Sequence, residues 1–114
     1  MHEYPITQQI VKLAVLKAEE NKAARITRIS LVVGEMTGFV GDSIKMYFDA
    51  IAEGTLAEGA EISIRYVRPK LRCTGCGEYF ERQRYNFRCP VCDSQGVPTD
   101  IGKEFYIDEI EVED

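Results

Sequence analysis

The sequence predicts an α+β fold: two helices on a three-stranded sheet, interrupted by an inserted four-cysteine domain of zinc-ribbon type. Three observations predict it. Apolar residues recur with a helical period in two segments, and they alternate with a two-residue period in three others. All four cysteines fall in one stretch between the second and third alternating segments.

The first helix is expected from Pro5, whose missing N–H is harmless at a helix start, to about Asn21. Ile6, Ile10, Leu13, Ala14 and Lys17 fall on one stripe, flanked by Val11 and Ala18. In "RITRISLVVGE", Thr27, Ile29, Leu31 and Val33 alternate with Ile26, Arg28, Ser30 and Val32, which reads as a β-branched strand. "GEMTGFVGD" is a glycine-rich loop. Asp42 is then a candidate N-cap for a second helix presenting Ile44, Tyr47, Phe48 and Ile51, with Gly54 at its C-terminal end. "AEISIRYV" alternates again, with Ala60, Ile62, Ile64 and Tyr66 directed inward, and Pro69 closes it. The last strand, "KEFYIDEIEV", places Phe105 and Ile107 on one parity and Ile110 and Val112 on the other. A bulge near Asp108–Glu109 would bring all four to one face. The expected α+β domain is therefore discontinuous, residues 1–67 plus 99–114, with residues 68–98 inserted.

Of the 114 residues, 45 % are apolar and 29 % charged, which suits a globular chain with a modest core and excludes wholesale disorder. No apolar run approaches the roughly 20 residues of a membrane span, and no cationic-then-apolar leader opens the sequence, so the expected location is the cytoplasm. The net charge of −5 opposes a general nucleic-acid binder. The charge is unevenly placed, however. Arg65, Arg68, Lys70, Arg72, Arg82, Arg84 and Arg88 crowd the cysteine region, and Glu104, Asp108, Glu109, Glu111, Glu113 and Asp114 make the tail acidic.

Cys73, Cys76, Cys89 and Cys92 have the spacing C-x2-C-x12-C-x2-C. Two intervening residues let both sulfurs of a tight turn reach one ion, and four thiolates suit tetrahedral zinc at about 2.3 Å per bond. Some 30 residues cannot bury a core that holds them alone, so the metal is a structural brace. With all four ligand positions filled by sulfur, no position is left for a reacting water. Tyr79, Phe80, Tyr85 and Phe87 are placed to cover the two turns.

The one histidine of the chain is His2. The Met1 α-amine, the His2 amide nitrogen once deprotonated, and the imidazole can close fused chelate rings on one ion, and the amide or carboxylate of Glu3 can supply a fourth donor. A nitrogen-rich planar set favours Ni(II) or Cu(II), and its exposed, proton-sensitive character suits transfer. A bulky second residue is expected to leave Met1, and hence its amine, in place.

Taken in order, "MHE" with the "ITQQI" helix, "RITRISLVVGEMTG", "YFDAIAEGTLAEGAEISI", the paired cysteine turns and "KEFYIDEIEVE" resemble the HypA family of nickel-insertion chaperones for hydrogenase and, in some bacteria, urease maturation. The resemblance spans the whole chain. It implies a nickel-binding domain with His2, the Met1 amine and Glu3 as ligands, and a separate zinc domain with Cys73, Cys76, Cys89 and Cys92. It also implies a HypB-type GTPase partner, delivery to the large-subunit precursor of a [NiFe] hydrogenase, and a link to urease maturation proteins. This chain departs from the family pattern in three places. Pro5 stands where many members have serine, there is no second histidine, and Val40 occupies about the place of a loop aspartate that some members use, with Asp42 nearby.

No serine–histidine–aspartate set is available with one terminal histidine, and no P-loop is present, so the chain is expected to be a carrier and not an enzyme. The competing readings are a zinc-ribbon module for nucleic acid or protein, suggested by the arginines, and a thiol redox protein. An inserted module on two chain crossings can exchange between copies, which leaves a homodimer open.

Overall fold

The computed structural model describes residues 3–82 and 86–114. Met1 and His2, and the Arg84 and Tyr85 assigned above to the arginine cluster and the aromatic cover, lie outside the described residues. The described chain divides into two compact units: residues 3–32, 39–65 and 106–114, and residues 33–38, 66–82 and 86–105. No described helix is long and apolar enough to cross a membrane.

The first unit is built on two helices, α1 (Glu3–Glu20) and α2 (Gly41–Ala52), packed against each other. Helix α1 starts two residues before Pro5, which sits in the first turn, where no intrahelical donor is missed. It buries Glu3, Thr7, Ile10, Val11, Ala14 and Ala18. Leu13 and Lys17 do not share that face. Leu13 is 51 % exposed and the Lys17 side chain pairs with Glu20 in solvent, because the buried stripe is centred on Thr7, Ile10, Ala14 and Ala18. The helix ends as the Asn21 amide and side chain both reach the Lys17 carbonyl, and Lys22 takes the left-handed conformation at φ 56°.

Strand β1 (Arg25–Gly34) is central in a three-stranded sheet with β2 (Glu61–Val67) and β6 (Phe105–Glu113) at its edges. Hydrogen bonds from Ala24 N–H to the Glu113 carbonyl and from Gly34 N–H to the Glu104 carbonyl make β1 and β6 antiparallel. The central position explains why β1 departs from simple alternation: Leu31, Val32 and Val33 are all buried. On the edge strands the expected faces are only partly realised. Tyr66 is 48 % exposed, while Ile62 is buried. In β6, inward positions pass from Phe105 and Ile107 to Ile110, the parity change the sequence suggested, but Val112 near the strand end stays exposed.

Asp42 is not the N-cap of α2. Val40 is the capping residue, and no side chain of its own closes the turn; Asp42 is the second helical residue. Gly54 lies just past the helix at φ 81°, donating its N–H to Glu58. The second unit carries a small antiparallel sheet of order β4-β3-β5, from β3 (Lys70–Cys73), β4 (Tyr79–Glu81) and β5 (Gly96–Pro98). Its buried cluster is Leu71, Cys73, Phe80 and Cys89. Tyr79 and Phe87 are exposed, so Phe80 alone of the described aromatics named above covers the cysteine turns; Phe87 lies instead under the Arg82 guanidinium, 5.4 Å away.

Candidate metal centre

The module builds the same turn twice. In each turn the first cysteine donates its N–H to a carbonyl five residues on, Cys73 to Glu78 at 2.8 Å and Cys89 to Ser94 at 2.9 Å. Its own carbonyl accepts from the N–H four residues on, Gly77 at 3.2 Å and Asp93 at 2.9 Å. Closing the turn this way requires a left-handed residue after the second cysteine, and both sites supply one: Gly77 at φ 79° and Asp93 at φ 64°. Aspartate tolerates that conformation better than most side chains. The Arg88 guanidinium braces this position through the Asp93 carbonyl at 3.1 Å. Glycine has a second use at Gly75, where a Cβ would lie 2.4 Å from Ser94 Oγ and 3.2 Å from Cys92 Sγ.

The two turns face their sulfurs inward. Cys73 Sγ is 3.2 Å from Cys92 Sγ, Cys76 Sγ is 3.7 Å from Cys89 Sγ, and all four ligand atoms lie within 4.8 Å of one another. A disulfide would need about 2.05 Å, so these are free thiols. A tetrahedral ion bonded at about 2.3 Å would place its sulfurs roughly 3.8 Å apart, within the spread observed. Backbone donors point at the sulfurs: Gly75 and Cys76 N–H each lie 3.3 Å from Cys73 Sγ, and Val91 N–H lies 3.4 Å from Cys89 Sγ. Such bonds favour thiolate.

The electrostatics show why the cluster suits a cation. Hydrogen bonds from the Ser94 hydroxyl and then its N–H, with help from Cys73, bring Cys92 down to about 6. Cys73 is also lowered, first by the Cys76 N–H. Cys76 is pushed up to about 12: the Glu78 N–H favours its thiolate, but burial and the sulfurs of Cys73, Cys89 and Cys92 outweigh that bond. The fold thus prepares thiolates and crowds them until they oppose one another, a conflict a divalent ion removes. Among the described residues, these four cysteines are the group of His, Cys, Asp and Glu side chains close enough to share an ion.

At the other predicted site, Glu3 is in the first turn of α1 with 3 % exposure. Its Oε2 accepts the Val40 N–H at 3.0 Å. A hydrogen bond with the chain's amino terminus, followed by that N–H, holds the carboxyl at about 2. Asp42 is exposed on α2, and Met1 and His2 lie outside the described residues. Sequence reasoning overlooked Ser94, Asp93 and the Glu3–Val40 bond. A left-handed-tolerant residue after each C-x2-C, glycine in one and aspartate in the other, was the available signal for Asp93; nothing local announced the other two.

Residues 1–112 match the family model described as "Hydrogenase/urease nickel incorporation, metallochaperone, hypA". The chain is 49 % identical over 114 residues to the hydrogenase maturation factor HypA of Caldanaerobacter subterraneus, covering 99 % of this chain and 100 % of that one. It is 42 % identical to the same factor of Dehalococcoides mccartyi, covering 100 % and 96 %. In fold it is similar to the solution structure of the Ni metallochaperone HypA from Helicobacter pylori, with TM-score 0.65, 23 % identity and coverage of 99 % and 98 %. A second solution structure, of HypA protein, gives TM-score 0.73 at 24 % identity, covering 98 % and 96 %. With the four-cysteine cluster assembled on an α+β scaffold and the family match running nearly end to end, the chain belongs to the HypA family of nickel metallochaperones for hydrogenase maturation.

Proposed function

We propose that this chain binds Ni(II) through the Met1 amine, His2 and Glu3, and delivers it to the large-subunit precursor of a [NiFe] hydrogenase, while Cys73, Cys76, Cys89 and Cys92 hold a structural zinc ion. The observation that carries the reading is the family match over residues 1–112, a range that spans the residues of both proposed ligand sets. Zinc fits the sulfur cluster because four thiolates in two tight turns form a closed tetrahedral set. Nickel fits the terminus because an amine, an amide and an imidazole on consecutive atoms favour a planar nitrogen set. The protein performs no catalysis; directionality comes from a HypB-type GTPase, and the same chemistry would serve urease maturation proteins. The work takes place in the cytoplasm. Residues 1–67 and 99–114 act as the nickel domain and residues 68–98 as the zinc domain, and exchange of the latter between copies would give a homodimer.

Three of the arginines that suggested a nucleic-acid role have contacts within the chain. Arg68 lies near Glu35 and Glu81, Arg88 near Asp93, and Arg82 over Phe87. Calorimetric nickel titration of the chain with no residue before Met1 tests the proposal. His2→Ala is expected to abolish tight nickel binding and leave zinc content unchanged. Equal nickel affinity in the variant, or nickel held by the cysteines, would overturn it.

A further inference from the structure

We infer that the Glu3 carboxylate is a positioning group: it fastens the first turn of α1 to the entry of α2, and the donor that Glu3 gives nickel is its backbone amide. The inference rests on the nickel reading above. A glutamate with 3 % exposure is rare unless partnered, and here one partner is the Val40 N–H at 3.0 Å. Val40 precedes α2 and offers no side-chain oxygen to cap it. In a capping box, a glutamate three residues into a helix reaches back to the N-cap N–H. At this corner the same donor is satisfied by a carboxylate from a different helix.

Two further contacts fix the same place. Tyr4 packs edge-on against Tyr47 of α2, with ring centroids 5.3 Å apart. Thr7, fully buried, donates its hydroxyl to the Glu3 carbonyl at 2.5 Å. Glu3 is therefore held by both backbone and side chain. The starts of α1 and α2 both adjoin its carboxylate, and each start carries partial positive charge that repels a cation. A carboxylate between them offsets that repulsion without touching the ion. Its Oε2 already serves Val40, and drawing that oxygen to the ion would leave a donor unsatisfied.

Glu3→Gln keeps an acceptor oxygen, whereas Glu3→Ala removes it. In the full chain with its cysteine site loaded with zinc and no nickel added, amide exchange at Val40 followed by NMR should quicken about tenfold in Glu3→Ala and stay near wild type in Glu3→Gln. Nickel affinity should fall about tenfold in Glu3→Ala and at most about threefold in Glu3→Gln, through lost preorganisation. At saturating nickel the d–d absorption band should keep its position in both variants, which a carboxylate ligand would not allow. If Glu3→Gln loses as much affinity as Glu3→Ala and both shift the band, the side chain is a ligand and the inference is overturned. Equal Val40 exchange in all three proteins, or wild-type nickel affinity in Glu3→Ala, overturns it as well. Failure of the wild-type chain to take nickel through His2 would overturn the proposed function alone; loss of Val40 protection confined to Glu3→Ala would still support the Glu3 link.

Discussion

The first unit buries Ile26, Ile29, Leu31, Val32, Ile44 and Phe48 to 1 % exposure or less, whereas the buried cluster around the cysteines is Leu71, Phe80, Cys73 and Cys89. One region is held by apolar area. The other has two large apolar side chains and four sulfurs in their place. The difference teaches where each unit keeps its stability. An α–β core of this kind stands without a ligand, while a module this poor in apolar contacts depends on its ion, whose binding in small zinc peptides contributes on the order of 10–16 kcal/mol.

The contrast can be broken most forcefully at the cysteines. Cys76→Ser should release the bound ion and open the module while the first unit stays folded. Limited proteolysis should then cut first within residues 68–98, and metal analysis should find no zinc. Cleavage spread evenly over both units would mean that they do not differ as described. The reciprocal change is Phe48→Ala, expected to cost about 3–5 kcal/mol by emptying a fully buried site. Denaturant unfolding should show that loss with one zinc still bound per chain at low denaturant. Within the module, the paired turns sharpen the comparison further. Gly77→Ala should destabilise it by about 1–2 kcal/mol, because the turn demands a left-handed residue, whereas Asp93→Gly should change stability by less than about 1 kcal/mol. Thermal release of zinc, followed with a chromogenic chelator, reads both.

How much of this was legible in the sequence follows the same division. The cysteine turns were legible because ligand spacing is a local property: two intervening residues fix what two sulfurs can reach. The helices and the three-stranded sheet were legible from period, and the parity change in the last strand from Ile107 and Ile110 alone. What escaped depends on neighbours from elsewhere in the chain. Leu13 and Leu31 look alike in a hydropathy pattern, yet one is half exposed and the other sits in a central strand. Asp42 looked like a cap because local rules favour aspartate there; the acceptor at this helix start comes instead from Glu3, 37 residues earlier. Tyr66 and Val112 lie on edge strands, where one outward-leaning apolar side chain is tolerated. The proposed amino-terminal site rests on chemistry alone, from which atoms could chelate.

The central claim is that the chain carries two ions at separate places, one on sulfur and one on its first residues. Native mass spectrometry of the nickel-loaded protein tests it most directly when one residue is added before Met1. The account predicts one zinc and one nickel on the unextended chain, and one zinc with little or no nickel on the extended chain, because the added residue converts the amine to an amide. Full nickel occupancy on the extended chain, or nickel gained only as zinc is lost, would contradict it.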